Sequence, residues 1–176
     1  MGPEFKEKCM NKWKKLVLVS AVLIALDQWT KYLAKTRIGG GIVLIPGVFE
    51  LQYVENQGAA FGILQNRLIF FVIFTLIMLC LIVYLYKHIP EEKGFGWISF
   101  STLLIFSGAI GNFIDRVSRG YVVDFLYFKP IDFPTFNLAD CFVVVGAILF
   151  VFLYFVTRDK VERVLNALER KKPADD

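Results

Sequence analysis

The chain has 176 residues, is 56% hydrophobic, contains 18 phenylalanines and carries a net charge of +4. Such a composition excludes an ordinary small soluble domain and leaves room for one compact helical membrane domain only. The charge is modest, so no nucleic-acid partner is expected, and where the charges fall matters more than their sum. The three cysteines, Cys9, Cys80 and Cys141, are scattered and odd in number. They fit neither a disulfide framework nor a zinc spacing, and Cys80 and Cys141 read as packing residues in apolar segments.

In chain order, residues 1–5 read as a cloning scar, 6–172 as the single membrane domain and 173–176 as a polar tail. Four membrane-spanning helices are expected, at about 14–34, 68–86, 94–114 and 137–157. Leu16 to Leu26 resembles the apolar part of a signal peptide, but Asp27 and Lys31 come next without a small-residue cleavage site. An uncleaved first helix is therefore expected. Asp27 and Lys31 are four residues apart, so they share a helix face and can pair.

Gly39, Gly40 and Gly41 end this helix with a flexible joint. Ile42–Ile45 and Val48–Val54, around Pro46 and Gly47, predict two short strands and a turn. Phe49, Leu51 and Tyr53 alternate with Glu50 and Gln52, as in a half-buried sheet. The small residues around Gly58 suit a short helix or a loop, and 42–64 is expected to act as a movable cover. Within 118–136, Tyr121–Tyr127 has strand character, and Pro130 and Pro134 keep the later part of the loop extended. In the tail, Val161, Val164, Leu165 and Leu168 share a face, predicting an amphipathic helix at the membrane surface or a continuation of the fourth span.

Four spans place both termini on one side. Of the 20 lysines and arginines, thirteen fall on that side and seven on the other. The richer side is expected to be cytoplasmic, with 42–64 and 118–136 outside. There is no internal repeat of the kind that marks inverted-repeat transporters.

The stretch Gly108–Asp140 concentrates the chemistry. It holds Asp115, Asp124, Asp132 and Asp140 between two apolar spans. Ionisable groups at the edge of hydrocarbon are functional candidates by default. The one histidine, His88, lies in the opposite loop. A His-dependent triad or a His-based metal site is thereby excluded, and no metal or other cofactor is expected. A Ser-Lys peptidase, with Lys31 activating Ser107 or Ser118, is a conceivable alternative. Two aspartates from different elements can instead share a proton and activate water for attack on an amide. Asp124, on a loop strand, and Asp140, at the start of the fourth span, suit that role. Asp115 reads as locked in polar contacts beside Arg116, and Asp132 as solvated. Structural readings stand beside these: Asn137 and Asp140 fit an N-cap and an acid in the first helical turn. Asn112 and Arg116 could tie a loop to a helix, and Asp27 and Lys31 could be an interfacial ion pair. A proton-coupled small transporter using Asp124 and Asp140 would place its acids nearer mid-membrane.

Five blocks in this order carry a resemblance: Asp27-Gln28-Trp29-Thr30-Lys31, Asn56-Gln57-Gly58-Ala59-Ala60-Phe61, Gly111-Asn112-Phe113-Ile114-Asp115-Arg116, Val123-Asp124-Phe125 and Phe136-Asn137-Leu138-Ala139-Asp140. Through them, nearly the whole chain resembles the bacterial lipoprotein signal peptidases, or signal peptidase II. The resemblance implies an all-α membrane fold of four transmembrane helices with a small extracytoplasmic β-sheet. It implies an aspartic endopeptidase that cleaves lipid-modified prolipoproteins on the amino side of the diacylglyceryl cysteine. Its partners would be those signal peptides and the membrane lipids, and its place the bacterial cytoplasmic membrane. The family's catalytic pair falls on Asp124 and Asp140. Asp27, Lys31, Asn56, Gly58, Asn112, Asp115, Arg116 and Asn137 fall on its substrate-binding or supporting positions.

Overall fold

The computed structural model describes residues 3–58, 67–91 and 94–169, with side chains for 10–58, 67–91 and 94–158. Residues 59–64 of the expected cover lie outside the described residues, as do 1–2 and 173–176. The element order is α1 (Pro3–Arg37), β1 (Ile42–Ile45), β2 (Phe49–Asn56), α2 (Leu68–His88), α3 (Gly96–Arg119), β3 (Val122–Phe128), β4 (Phe133–Phe136) and α4 (Leu138–Glu169). Four of these helices are long and apolar enough to cross a membrane. The expected architecture of four spans and a small sheet is the one found.

The bundle is apolar on its outside. Leu18, Ile69, Ile77, Ile148 and Val156 are all more than 60% exposed, as side chains facing lipid should be. α3 is the central helix. Of its most apolar window 44% is buried, against 22% for α1 and 11% for α2 and α4, and it packs on all three. Glycines set its approach to α4. A Cβ on Gly108 would collide with the backbone carbonyl of Ala139, and one on Gly146 would come within 2.9 Å of the Ser101 carbonyl. Small residues at such crossings let backbones approach where no hydrophobic force between helices is available.

α3 continues past Ile114 to Arg119, further than its hydrophobic run suggests. It stops at Gly120, whose φ of 82° lies in the left-handed region and whose N–H closes onto the Arg116 carbonyl. Asp115, Arg116 and Arg119 are therefore helical. α4 runs unbroken through the basic tail to Glu169. The side chains of Val161, Val164, Leu165 and Leu168 lie outside those described.

The sheet is antiparallel throughout, in the order β1-β2-β3-β4. It rests on the end of α1 through a cluster of Ala34, Ile38, Val123 and Phe125, against which Leu51 and Tyr53 pack. Two pairings position the site. Asn56 pairs with Val122, which puts Asn56 diagonally across from Asp124. Leu126 pairs with Phe136, so β4 returns the chain alongside Asp124 as α4 begins. β4 is a short edge strand containing Pro134, the sheet position that tolerates proline. It lies in a region that the sequence marks only as extended.

The glycine contacts generate a prediction. Gly108→Ala and Gly146→Ala should each destabilise the detergent-solubilised protein by about 1–3 kcal/mol through overpacking, whereas Gly96→Ala, in open space, should be near neutral. Thermal unfolding of the three variants checks it.

Candidate functional site

Asp124 and Asp140 meet through amide side chains. Asp124 is 2% exposed. Its Oδ1 accepts from Asn137 Nδ2 at 2.7 Å and its Oδ2 from Asn56 Nδ2 at 2.8 Å. Asp140 Oδ1 accepts from Asn112 Nδ2 at 2.8 Å, and its Oδ2 accepts from the Asn137 backbone N–H at 3.0 Å. Asn137 Oδ1 in turn accepts from the Asp140 N–H at 3.0 Å. That exchange is a reciprocal capping box at the start of α4, with asparagine as the cap and aspartate three residues on. Asn137 Nδ2 also donates to Asn112 Oδ1 at 3.0 Å. The Asn137 side chain thus caps α4 and joins both carboxylates into one network.

The two aspartates line one cleft of about 460 Å³. Asn56, Gly58, Asn112 and Arg116 line it too, and its apolar wall includes Phe136 and Val144. The Gly58 N–H donates to Asn56 Oδ1 at 2.9 Å and orients that amide toward Asp124. The Arg116 guanidinium lies 4.9 Å from the centre of the Phe71 ring, a cation–π placement at the rim.

Three of the sequence candidates lie behind the cleft rather than in it. Asp27, Lys31 and Asp115 are fully buried. Lys31 Nζ is 2.9 Å from Asp27 Oδ2 and 3.1 Å from Asp115 Oδ2, and it donates to Asn112 Oδ1 at 2.9 Å. Asp115 also pairs with Arg119 and accepts from Gln28 at 3.1 Å. Gly111 makes space here, since a Cβ would sit 2.5 Å from Asp27 Oδ2. Arg119 and Gln28 are supporting residues that sequence reasoning does not select. Arg119 is four residues beyond Asp115, a spacing that signals a pair once α3 is known to extend that far.

Asp132 is exposed and accepts from the Tyr127 hydroxyl at 2.6 Å, away from the cleft. A Ser-Lys arrangement finds no geometry. Ser107 and Ser118 donate to the Leu103 and Ile114 carbonyls of their own helix, while Lys31 is bonded to Asp27, Asp115 and Asn112. Among the described residues, no group of three or more His, Cys, Asp or Glu is arranged to hold a metal ion.

Electrostatics distinguish the cleft acids. Burial pushes Asp124 up from 3.8 to about 7, and the neighbouring Asp140 charge adds to this, against the lowering effect of the Asn56 and Asn137 amides. A buried carboxyl that holds its proton near neutral pH, beside a second carboxyl, is equipped for acid and base work together.

Comparison with known proteins shows the family. The family described as Signal peptidase (SPase) II matches residues 19–156. The lipoprotein signal peptidase of Streptococcus thermophilus is 46% identical over 134 residues, covering 74% of this chain and 86% of that protein. That of Enterococcus faecalis is 43% identical over 148 residues, covering 83% and 90%. A solved bacterial membrane enzyme superposes with a TM-score of 0.70 at 33% identity, covering 93% of this chain and 94% of its own.

The raised Asp124 value carries a stability prediction. The fold binds this proton more tightly than the unfolded chain does. The resulting stabilisation is full below about pH 3.8 and is lost as pH rises through about 7. The thermal midpoint of the wild type, minus that of Asp124→Asn, should therefore fall between about pH 4 and 7 and level off above. A flat difference across that range would contradict the assignment.

Proposed function

Because the chain belongs to the signal peptidase II family, we propose that it is a membrane endopeptidase that removes the signal peptide from lipid-modified prolipoproteins, with Asp124 and Asp140 as its catalytic pair. The observation that carries this reading is the convergence of the two carboxylates on one cleft, bridged by Asn137. In this reading Asp140 acts as the base. It accepts two N–H bonds and sits in the first turn of α4, where the helix dipole favours negative charge. Asp124, buried and beside that charge, holds the shared proton.

In the first step Asp140 takes a proton from water as the water oxygen attacks the scissile carbonyl carbon. Asp124 gives its proton to the carbonyl oxygen, forming a neutral tetrahedral diol. In the second step Asp140 returns its proton to the leaving nitrogen, and the C–N bond breaks. Asp124 recovers a proton from one diol hydroxyl, which restores the starting state. The acid pair carries all four proton transfers itself. Arg116, at the rim of the cleft, is positioned to hold a carbonyl of the substrate peptide.

The substrate class fits the walls. A signal helix in the membrane, with acyl chains beside its cleavage site, needs a site where hydrocarbon meets water. Val144 and Val145 continue the cleft onto the exposed apolar face of α4, while the polar end lies under the sheet. The bias of basic residues supports a cytoplasmic location for both termini and the 87–93 loop, with the sheet and cleft at the outer face.

Asp124→Asn and Asp140→Asn should each reduce cleavage of a diacylglyceryl-modified prolipoprotein by at least about 10²–10⁴-fold while the protein still folds and binds substrate. Wild-type activity should also decline on the alkaline side of about pH 7 as the pair loses its proton. Substantial turnover by either folded variant would overturn the two-aspartate mechanism. For orientation, single cysteines placed at 43 or 131 should react with an impermeant reagent from outside intact cells only. Reaction from the cytoplasmic side alone would reverse the topology.

A further inference from the structure

Two hydrogen bonds tie the buried ions to the backbone beside each cleft aspartate. The N–H of Val123 donates to Asp115 Oδ2 at 3.1 Å, and the N–H of Ala139 donates to Asp27 Oδ1 at 2.9 Å. Val123 is the residue before Asp124, and Ala139 is the residue before Asp140. Lys31 Nζ stands between the two holders, at 2.9 Å from Asp27 Oδ2 and 3.1 Å from Asp115 Oδ2. Its remaining bond, at 2.9 Å, goes to Asn112 Oδ1, and the Asn112 amide donates to Asp140. A lysine ammonium has three protons to donate, and these three partners account for all of them.

We propose that Asp27, Lys31 and Asp115 form a spacer that sets the separation of Asp124 and Asp140 by holding the backbone next to each of them. The proposal rests on reading Asp124 and Asp140 as the catalytic pair. A brace between α1 and α3 would need only side-chain contacts. Here each carboxylate also accepts a backbone N–H of a third or fourth element, from β3 for Asp115, whose Oδ2 takes Lys31 as well, and from α4 for Asp27. Ala139 is at the second position of α4, so its N–H has no partner within the helix, and the Asn137 cap already serves Asp140. Asp27 supplies the missing acceptor from another helix. Because Lys31 bonds both carboxylates, a shift of α4 relative to β3 must stretch one of these bonds.

Separation matters because two acids share one proton only while their charges interact strongly. Among the other charged groups, Lys31 of α1 acts on Asp124, and Arg116 of α3 interacts with both aspartates. Asp27, Lys31 and Asp115 are positioning residues and touch no substrate.

The test compares variants that keep or lose the acceptor at constant charge. Asp27→Asn keeps an oxygen for the Ala139 N–H, and Asp27→Ala does not. Both leave Lys31 paired with Asp115, and Asp115 with Arg119. Asp115→Asn and Asp115→Ala repeat the comparison at β3. The kcat, the KM and the pH profile are measured on a diacylglyceryl-modified prolipoprotein, with wild type and Asp124→Asn as references. Each alanine version should lose about 100-fold in kcat relative to its asparagine counterpart, the scale of loss for a misplacement of about 1 Å. KM should stay within roughly threefold, as expected when ground-state binding is spared. The alkaline limb of the profile should move to lower pH, because carboxylates held further apart give up the shared proton more easily. Equal kcat and unchanged profiles between folded alanine and asparagine versions would overturn the spacer. Wild type failing to cleave, or Asp124→Asn cleaving normally, would overturn the catalytic-pair reading instead.

Discussion

Lys31 Nζ lies 2.9 Å from one carboxylate and 3.1 Å from another, and none of the three side chains has exposed surface. Taking three ions out of water at the end of a membrane bundle is costly, and removing one partner from such a group typically costs about 3–5 kcal/mol because the others are left uncompensated. The structure meets that cost by satisfying every charge. Arg119 supplies a second cation to Asp115, and Gln28 donates to both Asp27 and Asp115. Gly111 leaves the volume that the Asp27 carboxylate occupies. Once these ions are fixed, the ends of α1 and α3 have one way to meet, and β3 and α4 are held against them.

The acids facing the cleft are treated differently from those behind it. Asp27 and Asp115 are neutralised by cations, whereas Asp124 and Asp140 are held by the amides of Asn56, Asn112 and Asn137. An amide donor orients a carboxylate without cancelling its charge. Two amide-held acids in one buried cleft therefore keep their repulsion, and burial together with that repulsion outweighs the amide bonds at Asp124. Lysine or arginine in place of those asparagines would favour two ionised carboxylates and leave no proton to donate. The division of donor types between the two layers separates acids neutralised by cations from acids that keep their mutual repulsion.

The sheet is small, but it converts sequence distance into proximity. Asn56 reaches Asp124 only because β2 pairs with β3, and Asn137 reaches it only because β4 folds back along β3. The strand order brings three separated stretches to the mouth of one bundle. The apolar groups of Leu51, Tyr53, Val123 and Phe125 hold that mouth on the end of α1.

Much of this was legible in the chain. Long uncharged runs must become membrane helices, because hydrocarbon tolerates backbone only when its hydrogen bonds are made internally. Alternation at 49–53 must face something half-buried, and Asp27 and Lys31, four apart, must share a helix face. The five motif blocks, in order, pointed to the family that the comparisons then showed. Composition and spacing also picked Asp124 and Asp140 out as acids on separate elements. They could not supply the division of labour among the acids. Asp27 and Asp115 are the same residue type as Asp124 and Asp140, and all four lie at the edges of apolar runs. Only the packing of α1 against α3 brings Asp115 to the Lys31 that Asp27 already faces, and only the register of the sheet delivers Asn56 and Asn137 to Asp124. Local periodicity fixes the direction in which a side chain leaves its own element. Which partner waits there is set by contacts between residues as far apart as Asp27 and Ala139, and those exist only once the helices and the sheet have closed on one another.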